Sequence, residues 1–264
     1  MKRTLVPILF SLFLVLSSCD EDGSLNFFSL QQDKEFGQEF NRSILANDAE
    51  YPLVNENLYP DAYEHLRRIR DELLASDDLR YGNEFDWQVR IIENDDVLNA
   101  FCVPGGYMYF YTGLIKYLDD EAQFAGVMAH EMAHADRRHT TKRLTRAYGF
   151  QFLLAALLGD NPDAMAQIAA ELAQGLGSLA FSRDDEYEAD SYAVHYSADT
   201  DCDPRGVAGF FEKLEGGTRV PEFLSTHPNP GNRVGNIYEV WEGLGAPEGS
   251  LFSDRYQDFI TSLP

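Results

Sequence analysis

His130-Glu131-Met132-Ala133-His134 is the stretch of this chain best suited to do chemistry. On an α-helix, residues four apart are rotated by only about 40°, so both imidazoles leave one face and can share a metal ion. Glu131 lies beside them without being a ligand, where it can hold a water and take its proton. A catalytic zinc needs three protein ligands and one open position. His139 is the nearest further histidine, but Arg137 stands where a helix-breaking Gly would turn the chain back. On a continuing helix, nine steps from His130 point His139 about half a turn away. It is read as a surface or supporting residue, not a ligand.

The better partners lie in Ser182-Arg183-Asp184-Asp185-Glu186-Tyr187-Glu188-Ala189-Asp190. Glu186 and Asp190 are four apart and share a helical face, while Glu188 points roughly away. One carboxylate can complete a zinc site, and the other can accept a hydrogen bond that fixes the tautomer of a ligand imidazole. An acid-rich first turn also occurs without any metal, because it complements the helix dipole.

Several elements must position these groups. Ser29 and Gln32 form a capping box for a helix running to about Ala46. Pro60 opens a second helix, in which Tyr63, Leu66, Ile69, Leu73 and Leu74 recur at helical spacing. Around Trp87 the period changes to two, through Val89 and Ile91. Two further strands, Val97 to Val103 and Tyr107 to Tyr111, flank Pro104-Gly105-Gly106. A short helix follows Gly113, and Asp119 and Asp120 cap a longer one expected to run to about Leu144. Tyr148 to Leu158 reads as a buried helix, ended by Gly159-Asp160-Asn161-Pro162. Helices are expected over Asp163 to Leu179, from near Arg183, from Pro204 to Leu214, and over Arg233 to Trp241. Between the last two, Pro221, Pro228 and Pro230 predict a loop, which holds His227. The fold class is α+β, mainly helical, with a small mixed sheet beside the helix that carries the two histidines.

The N-terminus reads as an address. Lys2 and Arg3, an apolar run from Leu5 to Leu16, and Leu16-Ser17-Ser18-Cys19 have the order of a bacterial lipoprotein signal. Residues 1–18 are expected to be removed, Cys19 to carry the lipid, 19–28 to form an acidic tether, and 29–264 to form one domain. Removing Lys2 and Arg3 leaves 19 basic against 44 acidic side chains, a formal charge of −25. That balance excludes nucleic acid as a partner and disfavours electrostatic adhesion to anionic lipid. The membrane contact would then be the acyl chains on Cys19. Cys102 and Cys202 remain, and are read as two free, partly buried thiols rather than a disulfide framework.

With its histidine motif, and Ala180-Phe181-Ser182-Arg183 leading into Glu186, Glu188, Ala189 and Asp190, the chain resembles the HtpX and CaaX-prenyl-endopeptidase family of zinc metalloproteases. Asn99-Ala100-Phe101-Cys102-Val103-Pro104-Gly105-Gly106, Asp203-Pro204-Arg205, Phe210 to Leu214, and Thr226-His227-Pro228 with Arg233 agree with it. The similarity spans about Phe28 to Trp241 and is nearest to the compact lipoprotein members that lack transmembrane helices and a repeat extension. It implies a zincin-like fold holding one zinc ion per chain. His130, His134 and Glu186 would be ligands, Glu131 the general base, and Asp190 a supporting acceptor. The matching His227 would face the cleft, either stabilising the oxyanion or capping the metal at rest. Asn99, Ala100 and Phe101 would offer a strand edge to an extended substrate. The expected activity is endoproteolysis of unfolded or misfolded envelope proteins, in the periplasm or on the cell surface. The alternative is a tethered chaperone that uses the same cleft with little cleavage.

Overall fold

The computed structural model describes residues 25–157, 163–174, 180–215, 222–228 and 231–264. The signal segment, Cys19, and the expected turn and loop residues Gly159 to Pro162, Pro221 and Pro230 lie outside the described residues.

Helix α1 (Leu30–Leu45) starts as expected: the Ser29 hydroxyl accepts from the Gln32 N–H, and the Gln32 side chain accepts from the Ser29 N–H. Helix α2 (Pro60–Leu74) buries Tyr63, Leu66, Ile69 and Leu73 along one stripe. Strands β1 (Gln88–Ile92), β2 (Ala100–Val103) and β3 (Tyr107–Tyr111) form one mixed sheet in the order β1-β3-β2. β2 and β3 are an antiparallel hairpin, and β1 runs parallel to β3. The hairpin turns through Gly105 and Gly106, both with φ above +80°, where an L side chain is strained. β2 begins three residues later than the sequence predicts, and it is an edge strand.

The two faces of the sheet explain its sequence. Met108 and Phe110 join Ala100, Cys102 and Ile91 in the larger core, with α2 and the helices that follow. Tyr107, Tyr109 and Tyr111 join Phe101, Val103 and Ile92 in a second core. That second core is closed by Phe36, Phe40 and Ile44 of α1 and by Ile168, Ala169 and Leu172 of α6 (Asp163–Gln174). Strand alternation therefore sorts residues between two cores rather than between core and water.

After α3 (Thr112–Tyr117) comes α4 (Glu121–Asp136), capped by Asp120, whose side chain accepts from the Gln123 N–H. All of α4 except Gln123 is buried. α7 (Arg183–Ala198), with its own capping box from Ser182 and Asp185, and α8 (Gly206–Glu215) pack against it. Gly126 and Gly206 allow α4 and α8 to touch backbone to backbone. A Cβ on Gly206 would lie 1.8 Å from the Ala122 carbonyl oxygen, and one on Gly126 would lie 2.3 Å from the Val207 nitrogen. α9 (Phe223–Thr226) is a short helical turn where the sequence suggests only loop, and α10 (Arg233–Gly243) follows. A last helix, α11 (Ser253–Thr261), has no counterpart in the sequence reading; it adds Tyr256 and Phe259 to the larger core.

Two expectations are corrected. The helix expected to reach Leu144 ends at Asp136, Arg138 has φ +60°, and a new helix, α5 (His139–Leu157), starts at once. Part of the expected tether belongs to the domain. Asn26 and Phe28 are buried, Asn26 donates to the Thr141 hydroxyl, and the Phe27 N–H donates to that of Thr145. Cys102 and Cys202 are both free and buried. No helix among the described residues is long and apolar enough to cross a membrane.

Candidate metal centre

α4 and α7 lie side by side and place His130, His134 and Glu186 in one buried cluster, to which the residue after α9 adds His227. The Nε2 atoms of His130 and His134 are 3.0 Å apart. Each lies 3.6 Å from a Glu186 carboxylate oxygen. His227 Nδ1 is 3.3 Å from His130 Nε2 and 3.2 Å from Glu186 Oε1. Zinc bonds of about 2.0–2.2 Å in a tetrahedron imply ligand-to-ligand edges of roughly 3.3–3.6 Å. The cluster, with distances of 3.0–3.6 Å, is close to that size.

Protonation makes the fit chemical as well as metric. His130 Nδ1 is 2.9 Å from Asp190 Oδ1, and a carboxylate only accepts, so the proton sits on Nδ1 and the Nε2 lone pair faces the cluster. Burial holds the His130 pKa down to about 4 despite Asp190, and holds that of His134 well below the usual range. Both rings are therefore neutral donors at neutral pH. Burial opposes the charge of Glu186 and Asp190, but His227 and Arg233 respectively outweigh it and keep both carboxyls below their ordinary values. Arg233 is itself buried. Its Nε and Nη2 grip both Asp190 oxygens at 2.6 and 2.5 Å, its Nη1 is 2.8 Å from Glu186, and its guanidinium lies 4.0 Å over Phe211.

Glu131 sits beside the cluster. The Cys102 backbone N–H donates to its carboxylate, and burial raises its pKa to about 7. Its Oε1 has no hydrogen-bond partner among the described residues, although His227 Nε2 lies 3.4 Å away. A buried carboxyl that is half-protonated at neutral pH can both take and return a proton. Burial opposes the charge of His227, but Glu131 and Glu186 outweigh it and raise its pKa.

The predicted substrate residues are placed less openly than the sequence suggests. Asn99 turns its carbonyl to Tyr111 of β3, so the alternation leaves Leu98, Ala100 and Cys102 with the outward backbone groups. Of Asn99, Ala100 and Phe101, only Ala100 faces outward. Two outward groups are already engaged: the Leu98 carbonyl accepts from the Phe223 N–H at 3.1 Å, and the Cys102 N–H serves Glu131. A cavity of about 40 Å³ beside Glu131 and His227, walled by Phe40, Phe101, Leu172 and Phe181, has room for a few waters but not for a peptide.

Sequence reasoning missed three contacts. Phe181 stacks on His134, with ring centroids 3.9 Å apart. His139, expected at the surface or in support of the site, takes the supporting place: it is fully buried and its Nδ1 lies 2.9 Å from His134 Nδ1. Glu188, off the face that Glu186 and Asp190 share, meets His139 instead, its Oε2 3.1 Å from His139 Nε2. A second group of possible ligands, Glu72, Glu121 and Cys202, does not suit a cation, because Arg68 and Arg255 both bond the Glu121 carboxylate.

Residues 60–240 match the profile described as Peptidase family M48. The chain is 36% identical over 158 residues to the beta-barrel assembly-enhancing protease of Escherichia coli (strain K12), covering 53% of this chain and 32% of that one. The protein of the same name from Yersinia pestis is 34% identical over 224 residues, covering 78% of this chain and 43% of its own length. The human mitochondrial metalloendopeptidase OMA1 is 28% identical over 213 residues, 75% of this chain and 38% of the human protein. Across the relatives compared, the chain spans 29% to 43% of their length.

Proposed function

This chain belongs to peptidase family M48, and on that premise we propose that it is a zinc-dependent metalloendopeptidase acting on unfolded or misfolded polypeptides in the bacterial envelope. The convergence of the His130 and His134 Nε2 lone pairs with Glu186, beside a buried Glu131, carries the reading. His130, His134 and Glu186 would hold one zinc, with His227 in the fourth position at rest. When bound, zinc supplies the Lewis acidity that polarises a scissile carbonyl and acidifies a water.

The remaining work falls to the chain. Glu131 takes a proton at Oε1, the oxygen left open, and returns it to the leaving amine. The Cys102 N–H holds Glu131 in place, which joins the base to the strand that an extended peptide would pair with. His227 must leave its position for a substrate to enter, and its raised pKa suits it to donate to an oxyanion afterwards. The names of the bacterial relatives and the lipoprotein-like N-terminus support an envelope setting, with Cys19 as the lipid-bearing residue.

Two observations favour the alternative of a tethered chaperone: the cavity is too small for a peptide, and part of the strand edge is already engaged. The deciding experiment combines metal analysis of the purified chain with cleavage of casein or another unfolded protein. Glu131→Gln should keep its zinc and lose ~100-fold or more of the cleavage rate as general-base catalysis disappears. Glu186→Gln should lose the zinc itself. Absence of cleavage by wild type, with both wild type and Glu131→Gln suppressing client aggregation equally, would establish the chaperone instead.

A further inference from the structure

The second nitrogen of His134 has an unusual partner. Metal-binding histidines ordinarily give their other N–H to a carboxylate, a carbonyl or water, and His130 does so with Asp190. His134 instead faces another imidazole, His139, at 2.9 Å between Nδ1 atoms. His139 in turn faces Glu188, with Nε2 and Oε2 3.1 Å apart. Glu188 at one end and the zinc reading of His134 at the other constrain the bonds between them. A carboxylate accepts, so His139 carries its proton on Nε2. Zinc on His134 Nε2 would leave the His134 proton on Nδ1, so His139 would accept it through its own Nδ1 lone pair. In that tautomer the His134 Nε2 lone pair is aimed at His130 and Glu186.

We propose that Glu188 and His139 form a positioning relay that sets the tautomer and orientation of His134. This rests on the zinc reading above and adds two residues to it. The backbone supports the assignment. His139 reaches His134 only because the chain breaks at Arg138, whose φ of +60° is a left-handed conformation that costs a non-glycine residue energy. The break is held from far away in sequence. Arg138 Nε donates to Asp33 Oδ2 at 2.5 Å, and its Nη2 donates to the Phe28 carbonyl. Phe181 covers one face of the His134 ring while His139 fixes its edge, so the ring can neither tilt nor flip. Glu188 is one-third exposed in its side chain, so its place at the end of the relay is not explained by packing.

The experiment measures zinc affinity by competition with a chromophoric chelator, and reads the His134 side-chain nitrogens by ¹⁵N NMR in the zinc-loaded protein. Wild type, Glu188→Ala, Glu188→Gln, His139→Asn and His139→Leu are compared, each checked by circular dichroism. Glu188→Ala and His139→Leu should bind zinc ~10–100-fold more weakly, the loss typical of removing a ligand's supporting partner. Glu188→Gln and His139→Asn keep an acceptor at the needed place and should bind more tightly than Glu188→Ala and His139→Leu respectively. The His134 Nδ1 resonance should be that of a protonated nitrogen in wild type, and its proton should exchange with solvent faster in Glu188→Ala. Equal zinc affinity in wild type and Glu188→Ala overturns the relay, even if the His139 variants fail to fold. Folded His139→Asn binding no better than folded His139→Leu also overturns it. Absence of zinc binding by wild type would instead remove the metal reading on which the relay rests.

Discussion

The backbone N–H of Phe223 donates to the Leu98 carbonyl at 3.1 Å, and the Phe223 ring stacks on His227 with centroids 4.2 Å apart. One residue thus touches both the outer edge of the sheet and the histidine that fills the fourth position of the cluster. A peptide adding to that edge would compete for the same carbonyl and would pull on the segment that holds His227. A second backbone bond, from the Phe181 N–H to the Thr226 carbonyl, ties the same segment to the residue stacked on His134.

His227→Ala should therefore raise the initial rate of casein cleavage at equal zinc occupancy, because the substrate no longer has to displace the cap. A slower rate would assign His227 to the oxyanion alone, and an unchanged rate would deny it both roles.

Arg233 neutralises two buried carboxylates, and removing it leaves Glu186 and Asp190 with only their histidine partners, His227 and His130. Arg233→Met should destabilise the metal-free protein by about 3–5 kcal/mol, the usual cost of breaking a buried pair. Zinc, being cationic and bound to the same carboxylate, should recover part of that loss. Thermal unfolding with and without zinc tests both halves, and an equal zinc-induced rise in Tm in wild type and variant would contradict the second.

The pH dependence of Glu131 gives a prediction with a definite sign. Burial raises its pKa from 4.5 to about 7, so its protonated form contributes stability that is complete below 4.5 and lost as pH rises through 7. Glu131→Gln removes that penalty. Metal-free Glu131→Gln should be more stable than wild type at pH 8, by roughly 3 kcal/mol at most, with the difference shrinking towards pH 4.5. Urea unfolding at both pH values measures it; a difference independent of pH would show that the folded protein does not perturb Glu131.

Gly206 is where α4 and α8 meet backbone to backbone. Gly206→Ala should cost ~1–3 kcal/mol through overpacking, with each kcal/mol lowering Tm by about 2–4 °C. A variant as stable as wild type would mean that the helices can separate without loss.

Much of this was legible in the residues, for local reasons. The Ser29–Gln32 capping box, Pro60 at the head of α2, the alternating strands and the helical spacing of His130 and His134 all act within a few residues. The chain break at Arg138 was not legible, because neither Gly nor Pro marks it and the groups that hold it, Asp33 and the Phe28 carbonyl, lie 105 and 110 residues away. The contact of His139 with His134 and Glu188 was hidden by that one omission. α11 had apolar residues at helical spacing in Tyr256, Phe259 and Ile260, but no capping signal: its N-cap is Phe252 in a left-handed conformation.

The docking of Asn26 onto Thr141 sets a working distance. With the lipid on Cys19, seven residues would connect the membrane surface to the first residue fastened to the domain, and even fully extended they reach at most about 25 Å. The protease would then work on a short leash. It could not patrol the compartment, and would meet only chains that emerge, stall or unfold within roughly one domain diameter of the bilayer.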